Sequence, residues 1–224
     1  GLMTHGKQIP DAIREKADAH RQYRKEIPQL QGKDIRICMD EWNYWYGPHI
    51  YGELGTRYFM RDAMGIAAGL NEYSRQSDMV FMANYAQTVN VIGCIKTNTT
   101  SSVFDATGQV LKLYRQYFGT IPVAISGETR PVDIAATLDS EGKKLTVSVV
   151  NATWDEVKIP VTLVNGSIAG DGELWQVTAP DDMATNEPGR PENVKITGPA
   201  KVPAGSALTV GPASINLFVF NLNN

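Results

Sequence analysis

Two cysteines and three histidines in 224 residues leave little material for a metal centre or a disulfide framework. No Cys or His spacing matches a metal site, and Cys38 and Cys94 fall in separate apolar segments, so the expectation is a buried pair of free thiols and no metal. An excess of either charge is lacking as well. With 21 basic against 24 acidic residues the net charge is -3, and no basic cluster occurs. That argues against nucleic acid or an anionic membrane surface as the partner and suits a neutral substrate. No apolar run approaches the roughly 18 to 20 residues of a membrane span, and the N-terminus has no charged-then-apolar leader. The chain can begin in mid-protein, so the compartment stays open. A composition of 42% hydrophobic and 20% charged residues is ordinary for a globular protein, with room for one large domain or two small ones.

What is present centres on Ile35 to Tyr46, where a β-branched run ends in the carboxylate pair Asp40-Glu41 and then in the aromatics Tyr44, Trp45 and Tyr46. This is the composition expected at the mouth of a sugar-cleaving site. Read as a strand from Asp34 to Trp42, the stretch puts Ile35, Ile37, Met39 and Glu41 on one face and Arg36, Cys38 and Asp40 on the other. A carboxylate ending an apolar face is either catalytic or a helix cap or ion-pair partner, and position alone leaves both readings open. Asp40 reads as structural, with Arg36 as its natural partner.

The elements around it follow from periodicity. Gly1 to Gln8 reads as a loop, and Pro10 suits the first turn of a helix over Asp11 to Tyr23, with Ile13, Ala17, His20 and Ile27 toward one side. Gly47-Pro48 marks a loop in which His49 either lines a cleft or sits on the surface. Gly52 to Gly55 leads to a helix over Thr56 to Tyr73, where Phe59, Ala63, Ile66, Ala67 and Leu70 recur at helical spacing. Asp78 to Ala83 reads as a second buried strand with Gln87 just past its end. Strand, helix and strand in this order form a βαβ unit with parallel strands, which sets Gln87 beside the same mouth as Glu41. A third helix spans Asp105 to Phe118. Beyond Gly119 the period becomes two, over Lys144 to Val150, Val157 to Val164 and Ser214 to Leu222, as in a β-sandwich or jelly roll. Asp181 to Pro191 is its longest loop. Trp154 and Trp175 read as core anchors, with a sugar platform as the other reading. The sequons at Asn98, Asn151 and Asn165 are no more than chance supplies.

Three ordered stretches carry a family resemblance. Asp40-Glu41-Trp42-Asn43-Tyr44-Trp45-Tyr46 resembles the nucleophile motif of the α-L-arabinofuranosidases of glycoside hydrolase family 51. Met82 to Ile92 resembles that family's last barrel-strand region, and Val110 to Tyr114 the helix that follows. The resemblance implies an α/β plus all-β chain: the last strands and helices of a (β/α)8 TIM barrel, incomplete here, over residues 1–120, then a C-terminal β-sandwich over 121–224. It implies retaining hydrolysis of terminal α-L-arabinofuranosyl residues, with Glu41 as nucleophile, Trp45 walling the sugar pocket and Gln87 donating to a sugar hydroxyl or to Glu41. Without the resemblance, Gln87 reads as an amide serving loop backbone. No cofactor is called for. The substrate implied is an arabinofuranosyl-containing oligo- or polysaccharide.

The family's acid/base glutamate belongs to an Asn-Glu pair on an earlier strand. Asn71-Glu72 lies inside a predicted helix and is no substitute. Two strands cannot close a barrel, so the expected partner is the missing N-terminal barrel portion, in cis or as a second chain, and the isolated chain is expected to be inactive. Exposed edges would also favour homo-oligomers. The alternative is a carbohydrate-binding or structural β-sandwich fragment without chemistry.

Overall fold

The computed structural model describes residues 1–46 and 55–223. Gly47, Pro48, His49 and Gly52, expected in a loop, lie outside the described residues.

The first helix, α1 (Leu2–Glu26), starts well before Pro10 and turns the expected loop into helix. The apolar face explains this. Leu2, Gly6, Ile9, Ile13 and Ala17 are all buried at spacings of three and four, a stripe that begins upstream of the proline. An interior proline costs about 3 kcal/mol, and packing of this stripe on the helix α2 (Met60–Arg75) offsets it. The approach is close: a Cβ on Gly69 would stand 2.6 Å from Ile9 and 3.3 Å from Trp42. The absence of a side chain at Gly69 is what admits this contact.

Between the helices lies β1 (Ile37–Trp42), and after α2 comes β2 (Val80–Tyr85); the two pair in parallel, the βαβ unit that the periodicity implied. The register is broken twice. Ile37 to Cys38 on β1 faces Val80 to Met82 on β2, and Met39 to Trp42 faces Ala83 to Tyr85. The second break is a bulge that gives β1 one extra residue at Asp40-Glu41. A short hairpin, β3 (Ile95–Thr97) and β4 (Ser102–Phe104), leads to α3 (Ala106–Tyr117). Its N-cap is Asp105, whose carboxylate accepts the Ala106 N–H at 2.8 Å. Val110, Leu113 and Tyr114 are buried on α3 as expected.

The remaining strands are β5 (Ile121–Val123), β6 (Asp133–Leu138), β7 (Lys144–Asn151), β8 (Val157–Ile159), β9 (Ser167–Ile168), β10 (Gly172–Thr178), β11 (Lys195–Val202), β12 (Leu208–Val210) and β13 (Ser214–Asn223). The large antiparallel sheet runs β11-β10-β13-β7-β6-β5, with β9 on the end of β13. Its central strands are buried on both faces. Val147, Val149, Phe218 and Phe220 pack with Val157, Ile159, Leu208 and Val210 of the small β8-β12 sheet, making a β-sandwich. Val150, Ile215 and Leu217 join the helical core with Ile66, Val110 and Leu113.

That second face holds buried polar residues, each partnered. Tyr114 Oη lies 2.6 Å from Ser148 Oγ and 3.0 Å from Asn71 Oδ1. Asn71 donates to Asp133 at 2.7 Å, and Arg75 reaches both the Asp133 carboxylate (2.8 Å) and the Ile134 carbonyl (2.9 Å). Trp175 stacks on Tyr117 at 4.5 Å, in keeping with a core anchor, whereas Trp154 is 62% exposed and anchors nothing.

Candidate active site at the end of a parallel strand pair

The C-terminal ends of β1 and β2 lie side by side, with Trp42 opposite Tyr85 and the Ala86 N–H donating to the Trp42 carbonyl at 3.3 Å. Glu41 is the penultimate residue of β1 and Gln87 stands two past the end of β2, so both occupy this one edge. Both side chains are exposed, as is Trp45 at 63%. Trp45 stands three residues past the end of β1.

The expected face of Glu41 is not observed. Ile37, Met39 and Trp42 are half-buried, while Cys38, Asp40 and Glu41 are exposed. The extra residue at Asp40-Glu41 breaks strict alternation, so Glu41 shares the open side with Cys38 and Asp40 rather than ending the row of Ile37 and Met39. Arg36 does not partner Asp40. Its guanidinium lies 3.4 Å from Asp34 and 4.7 Å over the Phe81 ring, and Asp40 accepts from the Cys38 thiol at 3.5 Å. The two cysteines are free, but Cys38 is exposed and Cys94 half-buried, not a buried pair.

The loop after β1 is held from beneath by residues that pattern reading missed. Asn43 donates to Tyr58 Oη (2.8 Å), the Ala86 carbonyl (2.8 Å) and the Ile92 carbonyl (2.9 Å), while its own carbonyl accepts the Tyr44 N–H (2.7 Å). Tyr58, fully buried, donates to the Tyr44 carbonyl at 2.9 Å. Tyr44 stacks on the His5 ring at 4.6 Å and donates to the His5 carbonyl at 2.8 Å. The buried Asp62 carboxylate takes His5 Nε2 and the Phe59 N–H, each at 2.7 Å, and the Tyr46 hydroxyl. Burial first, then the Asp62 charge, raises the hydroxyl pKa values of Tyr44, Tyr46 and Tyr58, so all three stay neutral. An aspartate three residues into a helix is a recognisable capping signal. The tyrosines carried none.

A second buried group joins the loops. Lys96, 2% exposed, donates to the Val91 carbonyl at 3.0 Å, lies 3.9 Å from Asp105 and sits over the Tyr58 ring at 5.3 Å. Asp105 also accepts the Tyr58 N–H at 3.1 Å and the Thr185 hydroxyl at 3.4 Å. Burial pushes its carboxyl up to about 7, against the pull of Lys96 and these donors. Gly55, at φ +71°, is required here, since a Cβ would stand 2.3 Å from Val91 Cα.

The sandwich reaches this edge through residues 179–194, between β10 and β11. The carbonyls of Asp182 and Ala184 accept the otherwise unpaired N–H groups of Arg61 and Met60 at the start of α2, each at 2.9 Å. Arg61 grips the Asp182 carboxylate at 2.6 and 3.0 Å, and Arg57 pairs with Glu187 at 2.6 Å. The longest predicted loop is thus a strap capping α2.

Glu72 is in α2 as expected, fully buried and bound by Arg14, Arg75 and Gln76, which removes it as a general acid. Among the described residues no group of three His, Cys, Asp or Glu side chains could hold a metal ion, and no helix is long and apolar enough to cross a membrane.

Comparison with known proteins agrees with this architecture. Residues 40–214 match the family described as the alpha-L-arabinofuranosidase C-terminal domain. The chain is 32% identical over 186 residues to a probable alpha-L-arabinofuranosidase C of Aspergillus flavus, an alignment that takes in 74% of this chain and 36% of that protein. Among solved structures, it superposes on the alpha-L-arabinofuranosidase of Thermotoga maritima in its arabinose complex with a TM-score of 0.84 at 23% identity, covering 97% of this chain and 50% of that one. A GH51 alpha-L-arabinofuranosidase of Thermotoga petrophila gives a TM-score of 0.80 at 23% identity over 94% of this chain and 48% of its own. The structural likenesses bear on the fold. The chain spans about a third of the curated relative and half of the solved ones. On the family match and the sequence relatives together, the chain belongs to the α-L-arabinofuranosidase C-terminal domain family.

Proposed function

We propose that this chain supplies the nucleophile of a retaining α-L-arabinofuranosidase. The carrying observation is the exposed Glu41 at the bulged C-terminal end of β1, beside the exposed Gln87 at the end of the parallel β2. Catalytic groups of parallel barrels stand at strand C-termini, and residues 1–120 read as the last two strands of such a barrel with their helices, residues 121–224 as the sandwich that braces it. In the reaction the Glu41 carboxylate attacks the anomeric carbon as the glycosidic oxygen leaves with a proton from an acid on an earlier strand. Water then cleaves the ester with the configuration retained, which requires two carboxyl groups about 5 to 5.5 Å apart. Trp45 walls the arabinose, and Gln87 donates to a sugar hydroxyl or to Glu41. The substrate class is a terminal arabinofuranosyl glycoside.

By the family resemblance the acid stands on an earlier barrel strand outside residues 1–224, and Glu72, committed to two arginines, does not replace it. Turnover of p-nitrophenyl α-L-arabinofuranoside should be absent for the 224-residue chain alone, present when the N-terminal barrel portion is restored, and abolished there by Glu41→Ala. Substantial turnover by the isolated chain, or full activity after Glu41→Ala, would contradict the reading. The strap that caps α2 favours a bracing sandwich, and Trp175, stacked on Tyr117, is not free as a sugar platform.

A further inference from the structure

We infer that Asn43 is the positioning residue that fixes Gln87 relative to Glu41, an inference that rests on the function proposed above. Asn43 stands two residues past Glu41 on one strand, yet its side chain is spent on the neighbouring one. The peptide bond entering Gln87 has two polar groups. Its carbonyl, on Ala86, accepts from Asn43 Nδ2 at 2.8 Å; its N–H, on Gln87, donates at 3.4 Å to the Ile92 carbonyl, which Asn43 Nδ2 also engages at 2.9 Å. One carboxamide thus holds the carbonyl of the peptide entering Gln87 directly and shares an acceptor with its N–H. The amide orientation follows from its surroundings, because the Tyr44 N–H, 2.7 Å away, can only meet the carbonyl oxygen.

Tyr58 completes the arrangement. Its hydroxyl donates to the Tyr44 carbonyl and so accepts from Asn43, which leaves two amide hydrogens shared among three oxygens. The loop then turns back on itself, with the Cys94 N–H reaching the Gln87 carbonyl at 3.2 Å. Beside this clamp the Trp42 and Tyr85 rings meet edge-to-face at 5.6 Å where the two strands end. The exposed side chains of Glu41 and Gln87 are placed by their backbone: the β1-β2 pairing sets the two strand ends side by side, and the Asn43 contacts orient the turn at Gln87. Asparagine suits the position uniquely. Aspartate would turn an oxygen toward two carbonyls, and alanine would remove the Asn43 donor from the Ala86 carbonyl and leave the Ile92 carbonyl with the long Gln87 N–H bond only.

Two readouts test this, one without turnover. In the 224-residue chain, Asn43→Ala should speed amide hydrogen exchange at Gln87 and Cys94 by at least about tenfold relative to the sheet amides of Val147 and Val149. Tyr58→Phe, which keeps the amide bonds to Ala86 and Ile92, should change Gln87 far less. Asn43→Asp retains the volume and the Tyr44 bond and serves in place of alanine should that variant fail to fold. In the complete enzyme, active sites are titrated so that misfolded protein does not count. There Asn43→Ala should lower kcat/KM about ten- to a hundredfold, and Asn43→Ala with Gln87→Ala should be no worse than Gln87→Ala alone. Unchanged exchange at Gln87, or losses that multiply in the double variant, would overturn the inference. Should Glu41→Ala leave turnover intact, the proposed reaction falls, while the exchange result still shows whether the clamp exists.

Discussion

At the scale of single residues, buried carboxylates separate into two kinds. Burial alone would raise the Glu72 carboxyl; Arg75 and hydrogen bonds from Gln76, Arg14 and Arg75 outweigh it and hold the pKa below the ordinary range. A depressed carboxylate contributes stability that is full above its unfolded pKa of about 4.3 and is lost as pH falls through the folded value. Glu72→Gln should therefore cost about 2–3 kcal/mol at neutral pH, with a shallower loss of stability in acid, measured by urea unfolding from pH 7 to 3. Larger values are not expected, because the Arg14 and Arg75 side chains are 47% and 32% exposed and can turn to water. Asp105 has the opposite sign. With its carboxyl raised to about 7, the folded state holds a proton that the unfolded chain releases near pH 4, so its contribution declines as pH rises through this window. In Asp105→Asn that decline should vanish, and the stability gap between variant and parent should change between pH 4 and 7.5 and be constant above it. The state of Glu72 could not be assigned from sequence, where it is one acidic residue of a helix. Asp105 was legible only as the start of a helix. The strand ends that carry Glu41 and Gln87 were legible as a parallel pair, but Asn43, just past β1, bonds carbonyls more than forty residues away.

At the scale of elements, periodicity located the three helices and the parallel pair and failed where tertiary packing overrode a local signal. Pro10 looked like a beginning and is an interior residue, because Leu2, Gly6 and Ile9 gain more from α2 than the missing hydrogen bond costs. The bulge at Asp40-Glu41 has no signature in a run of β-forming residues, so the face of Glu41 was misassigned. Residues 179–194 have the composition of a loop, and only the structure shows their carbonyls capping α2. The close approach of Tyr44 to α2 yields a sharp test. Gly65→Ala should gain up to about 1 kcal/mol in helix propensity but would place a methyl 1.8 Å from Tyr44 Oη, so a net loss of about 1–3 kcal/mol in urea unfolding is expected. The strap is tested by Asp182→Ala, which removes both Arg61 contacts. A cost of about 1 kcal/mol is expected, with faster exchange confined to the Met60 and Arg61 amides.

At the scale of the molecule, the helices and the large sheet share one core, which is why β7 and β13 are buried on both faces and why their polar positions face inward. Alternation read from sequence identified the strands but could not say that helices cover the second face. The β1-β2 pair is different, with Phe81 at 66%, Met82 at 46% and Ile35 at 44% exposure around an otherwise two-stranded sheet. Such an edge should promote concentration-dependent association of the isolated chain in sedimentation, reduced by Phe81→Lys. On the proposed function, this open edge is where further strands would pair and Glu41 would be the nucleophile. The most direct measurement of that account is to treat the complete enzyme with a 2-deoxy-2-fluoro-α-L-arabinofuranosyl compound bearing a good leaving group, which arrests the glycosyl ester, and to map the modified peptide by mass spectrometry. The account predicts one arabinofuranosyl adduct on the peptide containing Glu41, absent in Glu41→Gln. An adduct on a carboxylate elsewhere, with Glu41 unmodified, would contradict it.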